Sequence, residues 1–266
     1  MGDRRRWRWV VVGAVLVLAV AAVAVTLRLR AEPDPSEEPP TGSEASDVDT
    51  RVVGPAADGW QTLEVELPDH SGRNGTVRVL VDVPGQWARI DAERDSVCGF
   101  YSFGADPDDC GENEVVAVYD NALSDYAFGS GLRPAADYDD SISSDWLGHV
   151  SVGGIDVTVA SDDRDVALRV LGSARPEGQT APDLTGAWAD VEAAEVSYPV
   201  PPAARDDLQV DVRDRSGPRR YAEGEQTGSG RWRAVATVGR SDVVATAATR
   251  ALAELVAGSA RRTRAG

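Results

Sequence analysis

The chain has 266 residues, of which 44 are acidic and 27 are basic, so its formal net charge is −17. All 27 basic residues are arginines. Residues 1–30 hold six arginines and one aspartate, which leaves 21 basic and 43 acidic residues, a net charge of −22, in the rest of the chain. A body this acidic repels the phosphates of nucleic acids and of anionic membrane surfaces. The composition therefore excludes DNA and RNA binding and peripheral binding to lipid.

The N-terminus carries the pattern of a membrane anchor. The segment from Val10 to Leu27 is uncharged and almost wholly apolar, about the length that crosses a bilayer as a helix. Four arginines precede it and two follow it, and the positive-inside rule keeps residues 1–9 in the cytoplasm as a short basic end. A cleaved signal peptide is the alternative, but the apolar run is long for one and no small-x-small cleavage site follows. We expect a single-pass protein of the cell membrane with an uncleaved transmembrane helix at 10–27 and an extracytoplasmic C-terminal body.

Residues 28–59 are predicted to form a disordered acidic linker. The segment is rich in proline, acidic and small polar residues and shows no apolar period. A flexible chain of this length spans about 30 Å root-mean-square. The linker would therefore hold the body away from the membrane.

The first part of the body shows the period-2 alternation of half-buried strands. Two such strands joined by the turn signal Asn74-Gly75 predict a β-hairpin over residues 61–83. A strand is expected over Glu114–Leu123 and a second hairpin, with a Gly-Gly turn, within residues 146–161. The polar residues 124–145 between them predict a long loop.

An amphipathic helix closes this part of the chain. Within residues 161–175 the apolar side chains recur with helical spacing on one face; they are Val166, Ala167, Val170, Leu171 and Ala174. Ser161 or Asp162 is the predicted N-cap, and Pro176 stops the helix. Residues 60–178 therefore predict a first module of antiparallel sheet plus helix.

Residues 186–262 repeat these elements in shorter form. Trp188, Val191 and Glu192 have the spacing of Trp60, Leu63 and Glu64. The stretch LQVDVRD resembles VLVDVPG, and RWRAVATVGRSD resembles GIDVTVASD. Residues 245–261 predict a helix about two turns longer than the first, and both helices end in Gly-Ser-Ala-Arg. The fold class we predict is α+β with two tandem related modules; the alternative is one α+β domain in which an alanine-rich composition produced chance similarities.

Cys98 and Cys110 are the only cysteines, and they lie close together in sequence. In an oxidising compartment such a pair is usually a disulfide, and a loop of this size contributes about 3 kcal/mol. The loop contains Phe100, Tyr101 and Phe103. These rings form a candidate contact loop, or they pack beneath the loop as a small core.

The sequence offers no catalytic or cofactor-binding constellation. Nucleophilic hydrolysis needs a base beside Ser or Cys, but His70 lies in a polar turn and His149 in a predicted strand, and no G-x-S-x-G is present. An acidic cluster has the oxygens that calcium prefers; it comprises Asp106, Asp108, Asp109, Glu112 and Glu114. Cys110 and Ala117 occupy ligand positions of the EF-hand pattern, so that pattern fails. We predict no catalytic, cofactor or metal residues.

Several features together resemble uncharacterised membrane-anchored exported proteins of actinobacteria: the Arg-rich start, the single apolar segment, the acidic linker, VDVPGQW, the following CG…C pair and the ending TVASDDRDVALRVLGSAR. The resemblance covers most of residues 1–178 and implies no activity. The strand followed by Val-Pro-x-x-Trp is also similar to Mog1/PsbP-like lipoproteins, which implies a fold alone.

The predicted function is a non-enzymatic binding or interaction module of the cell envelope, with an envelope protein or a wall polymer as the candidate partner. The first alternative is an extracytoplasmic enzyme or calcium-dependent protein that uses the acidic loop. The second is an accessory or sensor subunit of a membrane complex.

Overall fold

The fold is α+β, as the sequence predicts, with antiparallel sheets and two α-helices in the described part of the chain. The structure, a computed structural model, describes residues 50–55, 57–68, 76–90, 102–106, 114–120, 129–138, 143–201, 203 and 207–263. The strands of the first half are β1 Thr50–Pro55, β2 Trp60–Pro68, β3 Thr76–Pro84, β4 Ala88–Arg89, β5 Ser102–Gly104, β6 Val115–Asp120, β7 Gly131–Pro134, β8 Trp146–Val152, β9 Ile155–Ser161 and β10 Arg175–Pro176. Those of the second half are β11 Ala189–Ala193, β12 Val196–Val200, β13 Gln209–Asp214, β14 Gly224–Gln226, β15 Trp232–Val238, β16 Ser241–Ala247 and β17 Arg261–Arg262. The helices are α1 Arg164–Ser173 and α2 Arg250–Gly258.

The strands form four sheets. Their strand orders are β1-β2-β3-β10, β4-β5-β6-β9-β8-β7, β11-β12-β17 and β13-β16-β15-β14. The predicted hairpins are confirmed as β2–β3 and β8–β9, and the predicted strand at 114–123 as β6. The predicted loop at 124–145 is wrong in part, because Gly131–Pro134 forms β7. Pairing with β8 holds this short strand, and its own sequence has no apolar alternation.

Each of the seven strands described in the second half has a counterpart in the first, in the same order and register. The order β6-β9-β8-β7 recurs as β13-β16-β15-β14, and β2-β3-β10 recurs as β11-β12-β17. Asp120 pairs with Ile155, the first residue of β9, just as Asp214 pairs with Ser241, the first residue of β16. The two halves therefore share one topology.

The repeat is readable in the sequence once these strands are aligned. Residues 146–175 and 232–261 align without a gap at an offset of 86 and are identical at 12 of 30 positions. This offset carries β8 onto β15, β9 onto β16 and α1 onto α2. The shared residues, numbered in the first half, are Trp146, Val152, Gly153, Asp156, Val157, Arg164, Ala167, Val170, Gly172, Ser173, Ala174 and Arg175.

Two of the predicted matches between the halves are wrong. LQVDVRD contains β13, which corresponds to β6, whereas VLVDVPG belongs to β3. RWRAVATV contains β15, the counterpart of β8 and not of β9. Both errors come from short alternating stretches, because strands on different positions of a sheet share the same period. The match of Trp188 to Trp60 holds, since Val191 and Leu63 occupy the same register position in their hairpins.

The predicted lengths of the helix segments are also corrected. Ala245–Ala247 ends β16, where pairing with β13 and β15 overrides the helical preference of alanine. Thr249 is the N-cap of α2 and accepts a hydrogen bond from the Leu252 amide at 3.2 Å. The N-cap of α1 is Asp163, not Ser161 or Asp162, and its carboxylate accepts from Asp165 N at 2.8 Å.

The ordered body starts before the predicted linker ends. Thr50–Pro55 forms β1 on the outer edge of β2. Val52 and Val53 are 57% and 44% exposed, so this strand has no buried apolar face to mark it in the sequence. Backbone pairing holds it in place.

The two halves share one hydrophobic core, and residues 48–266 form a single compact unit. α1 packs against β3, β8 and β9, while α2 packs against β15 and β16 and also against β7 and β8 of the first half. The two helices contact each other. The apolar stripe predicted for α1 faces this core: Ala167, Val170, Leu171 and Ala174 are fully buried.

The predicted membrane helix and the linker up to residue 49 lie outside the described residues. In the part of the chain that the structure does describe, neither helix has the length and apolarity needed to span a bilayer.

Candidate functional site

The predicted contact loop is described only at its end. Cys98, Cys110, Phe100 and Tyr101 lie outside the described residues. Phe103 lies in β5, is 6% exposed and belongs to the hydrophobic core. Phe103 is therefore a packing residue and not an exposed contact.

The acidic cluster is described at Asp106 and Glu114. The Glu114 carboxylate accepts hydrogen bonds from Ser161 Oγ at 2.8 Å and Asp162 N at 2.9 Å. These bonds tie the start of β6 to the chain between β9 and α1. Among the described residues, no three His, Cys, Asp or Glu side chains come together as a metal site.

His149 is buried in β8 and opposite Thr158 of β9. Burial lowers the pKa of His149, and the nearby Glu254 carboxylate offsets part of that effect. The neutral form is therefore favoured in the folded protein, as for a histidine built into a core.

Glu254 of α2 is a fully buried carboxylate at the junction of the two halves. It accepts hydrogen bonds from Ser130 Oγ and Ser151 N in the first half, both at 3.0 Å. In the second half it accepts from Gly224 N at 2.8 Å and Arg250 Nε at 2.7 Å. A buried charge with four donors is satisfied, so this cluster joins the halves and is not a reactive site.

A cleft of about 500 Å³ lies beside β11 and β17 and carries side chains of both signs. Its charged lining residues are Asp137, Asp190, Glu192, Arg261 and Arg262, and we name it the mixed-charge cleft. Asp190 pairs with Arg164 at 2.5 Å and with Arg261 at 3.0 Å. Glu192 and Asp137 have no ion-pair partner within the described residues.

A second cleft, of about 380 Å³, lies between the segment before β14 and β15. Arg219, Arg220, Tyr221 and Arg233 line it, together with two glutamates. Tyr221 is 51% exposed, and the Arg219 guanidinium stands 5.7 Å from the centre of its ring. The surrounding residues 213–240 hold seven arginines and three acids, so this is a basic region of an acidic body.

Sequence reasoning missed both clefts. Their residues are scattered charges on β11, β14, β15, β17 and connecting segments, and only the paired strands bring them together. The internal repeat was the available signal for the first cleft, since it matches β11 to β2, which has a further strand beside it, whereas β11 has none among the described residues.

No family model, curated protein or solved structure matches this chain. Inferences about function therefore rest on the geometry of the fold and the two clefts.

Proposed function

We propose that this protein is a membrane-anchored, extracytoplasmic binding or interaction module of the cell envelope. The observation that carries the binding role is the mixed-charge cleft, a cavity next to the exposed strand β11. An exposed strand edge offers backbone donors and acceptors to a partner, and the unpaired carboxylates beside it offer charge.

The location rests on the sequence. The uncharged segment Val10–Leu27 with arginines on both sides supports a membrane anchor. The first described residue is Thr50, so the proposed acidic linker would end at residue 49. Cys98 and Cys110 would form a disulfide in the oxidising compartment outside the membrane.

The repeated register and the gapless alignment of residues 146–175 with 232–261 support an origin of the body by tandem duplication. The first module then carries an addition between β3 and β6, which contains β4, β5 and both cysteines. In the second module only residues 201–208 separate the equivalent strands β12 and β13. The proposed disulfide therefore belongs to the first module alone.

Location is tested on the full chain in intact cells with an epitope at the C-terminus. Added protease should remove the epitope without lysis, and the mature protein should keep its N-terminal residues. A mature N-terminus near residue 31 would contradict the anchor, and two free thiols found by mass spectrometry would contradict the disulfide.

Binding is tested with a photo-reactive residue at Asp137, an exposed position in the mixed-charge cleft. The matched control is Ser229, an exposed position in the β14–β15 turn. We expect a discrete cross-linked product in intact cells from position 137 and none from 229. Equal products from both positions, or none from either, would count against a binding site in this cleft.

A further inference from the structure

The first module shows how a strand can be added at the position that is open beside β11 among the described residues of the second. β1 pairs antiparallel along β2 and brings Arg51 opposite Glu64 and Val52 opposite Leu63. The Arg51 guanidinium lies 2.8 Å from the Glu64 carboxylate, whose side chain is only 7% exposed. β1 therefore covers the outer edge of β2 and neutralises its buried acid.

β11 is the counterpart of β2, and its outer edge is open in the described part of the chain. The sheet order ends at β11, whereas the first module continues past β2 to β1. Val191, which takes the register position of Leu63, is only half-buried, although Leu63 is 1% exposed. Among the described residues, the second module has no strand in the place that β1 takes in the first.

The acid at this edge also differs from its counterpart in the first module. Glu192 takes the position of Glu64, but it is exposed and has no ion-pair partner within the described residues. Arg78, which approaches Glu64 to 4.0 Å from β3, has Glu195 as its counterpart by register. Asp190 is already held by Arg164 and Arg261, so Glu192 is the acid that remains for a partner.

We propose that β11 binds an extended segment of a partner protein as an added antiparallel strand, with a basic residue opposite Glu192 and an apolar residue opposite Val191. This partner would occupy on β11 the place that β1 occupies on β2. Main-chain hydrogen bonds to the strand edge provide affinity, and the side-chain pairs fix the register. The proposal rests on the binding function proposed above and names its partner.

A second copy of this chain fits the edge less well. Antiparallel pairing of two β11 strands about Val191 would set Asp190 of each copy opposite Glu192 of the other, and like charges directly opposite destabilise a sheet. The body as a whole also carries a net charge of −22 outside residues 1–30, which opposes self-association. A basic strand would face neither the like-charge pairs nor the repulsion between two acidic bodies.

The experiment uses the full chain in a non-ionic detergent and a labelled peptide with the sequence of residues 48–55, VDTRVVGP, which contains the strand that the first module already uses. Anisotropy should show binding to the unchanged protein. Glu192→Arg should weaken it by about tenfold, the size expected when an attraction becomes a repulsion at an edge. Glu223→Arg, the same charge change at an exposed position outside β11, should leave it unchanged.

Two peptide variants separate strand addition from simple charge attraction. A peptide with Arg51→Glu should bind the unchanged protein about tenfold more weakly and recover on the Glu192→Arg protein. A peptide N-methylated at two consecutive residues keeps its charge but loses pairing groups, so it should bind at least tenfold more weakly.

The proposal fails if Glu192→Arg and Glu223→Arg bind the peptide alike, because the peptide would then act elsewhere, for example by displacing β1 from β2. Equal binding of the N-methylated peptide would also overturn it. A dimer in sedimentation that Glu192→Arg abolishes would assign the edge to a second copy instead. These measurements use solubilised protein, so their failure is separate from a failure of the proposed membrane location.

Discussion

The two halves of the body end their helices with the same Gly-Ser-Ala-Arg, yet the motif makes different contacts in each half. In the first, Ser173 Oγ accepts a hydrogen bond from Asp82 N of β3 at 2.8 Å. In the second, Ser259 Oγ accepts from Leu132 N of β7, which belongs to the first half, at 2.8 Å. The register places Pro199 at the position of Asp82, and proline has no N–H to donate. Pro199 therefore cannot give Ser259 the local hydrogen bond that Ser173 receives, and Ser259 accepts one from the first half instead.

The arginine and glycine of the two motifs make further contacts. Arg175 pairs with Asp82 at 3.3 Å and donates to the Ser173 carbonyl at 2.8 Å, so these polar contacts of the first motif lie within its own half. Gly258 of the second motif lies against the backbone of Ser130 and Gly131. The same four residues therefore end a helix in each half, and in the second half Ser259 and Gly258 also contact β7 and Ser130 of the first half.

Among substitutions that compare the halves, we expect the largest effect on stability at Glu254, whose counterpart in α1 is Leu168 at the same offset of 86. Glu254→Leu would leave Ser151 N, Gly224 N and the Arg250 guanidinium without an acceptor. We expect a loss of roughly 3–5 kcal/mol in the free energy of unfolding, measured by urea denaturation. Glu223→Gln, an exposed control, should change it by less than about 0.5 kcal/mol. A small loss for Glu254→Leu would mean that this cluster does not join the halves.

The next largest difference is expected at the glycines of the repeated motif. A Cβ at Gly258 would overlap the backbone carbonyl of Ser130, whereas a Cβ at Gly172 meets first a movable side-chain atom, Leu184 Cδ1, at 3.1 Å. Gly258→Ala should therefore destabilise by about 2–3 kcal/mol. Gly172→Ala should stay within about 1 kcal/mol of the unchanged protein, since alanine favours a helix. Thermal and urea unfolding of the two variants compare them directly, and equal effects would contradict the close approach at Gly258.

The same substitution should change the free energy of unfolding equally in both halves where their packing is equivalent. Val170 and Val256 are fully buried, identical in the repeat and on the core face of their helices. Val170→Ala and Val256→Ala should each cost roughly 2 kcal/mol through lost burial and a small cavity. Costs that differ by more than about 1 kcal/mol in denaturation midpoints would show that the two helices are not packed equivalently.

The smallest expected effect is on the pH dependence of stability, and it comes from His149 of the first half. Burial lowers the pKa of His149 below the value of about 6.5 that it has in the unfolded chain. The unfolded state therefore binds the proton more readily, so the folded protein loses stability as the pH falls below about 6.5 and through the lowered pKa. The counterpart of His149 in the second half is Val235. The variant His149→Val should therefore lose less stability than the unchanged protein between about pH 7.5 and about pH 5. The same slope of unfolding midpoint against pH in both proteins would contradict this role of His149.

The sequence allowed a correct prediction of the elements whose patterns are local. The alternation of Leu63, Val65 and Leu67 predicted β2, and these side chains are 1%, 0% and 3% exposed. The stripe from Ala167 to Ala174 predicted α1. The repeat itself was predicted from Trp188 and the two Gly-Ser-Ala-Arg ends, although two of the strands were matched to the wrong partners.

The elements that the sequence mispredicted are those held by distant partners. β1 has exposed valines and stays in place through β2, and β7 depends on β8. Ala245–Ala247 has a helical composition but lies between two strands. No local window of sequence contains these partners, so no periodicity in it can report them.

By itself, the sequence determined the α+β class, the apolar segment at 10–27, the acidic character, and the two hairpins and the helix of the first half, because these follow from composition and from periods of 2 and 3.6 residues. The tertiary structure decided which strands pair, that the halves share a core and are joined at Glu254, and that no described strand covers the outer edge of β11 beside Glu192. Those properties depend on contacts between residues far apart in the chain. Which strand lies at the edge of a sheet is decided only by the pairing of all the other strands.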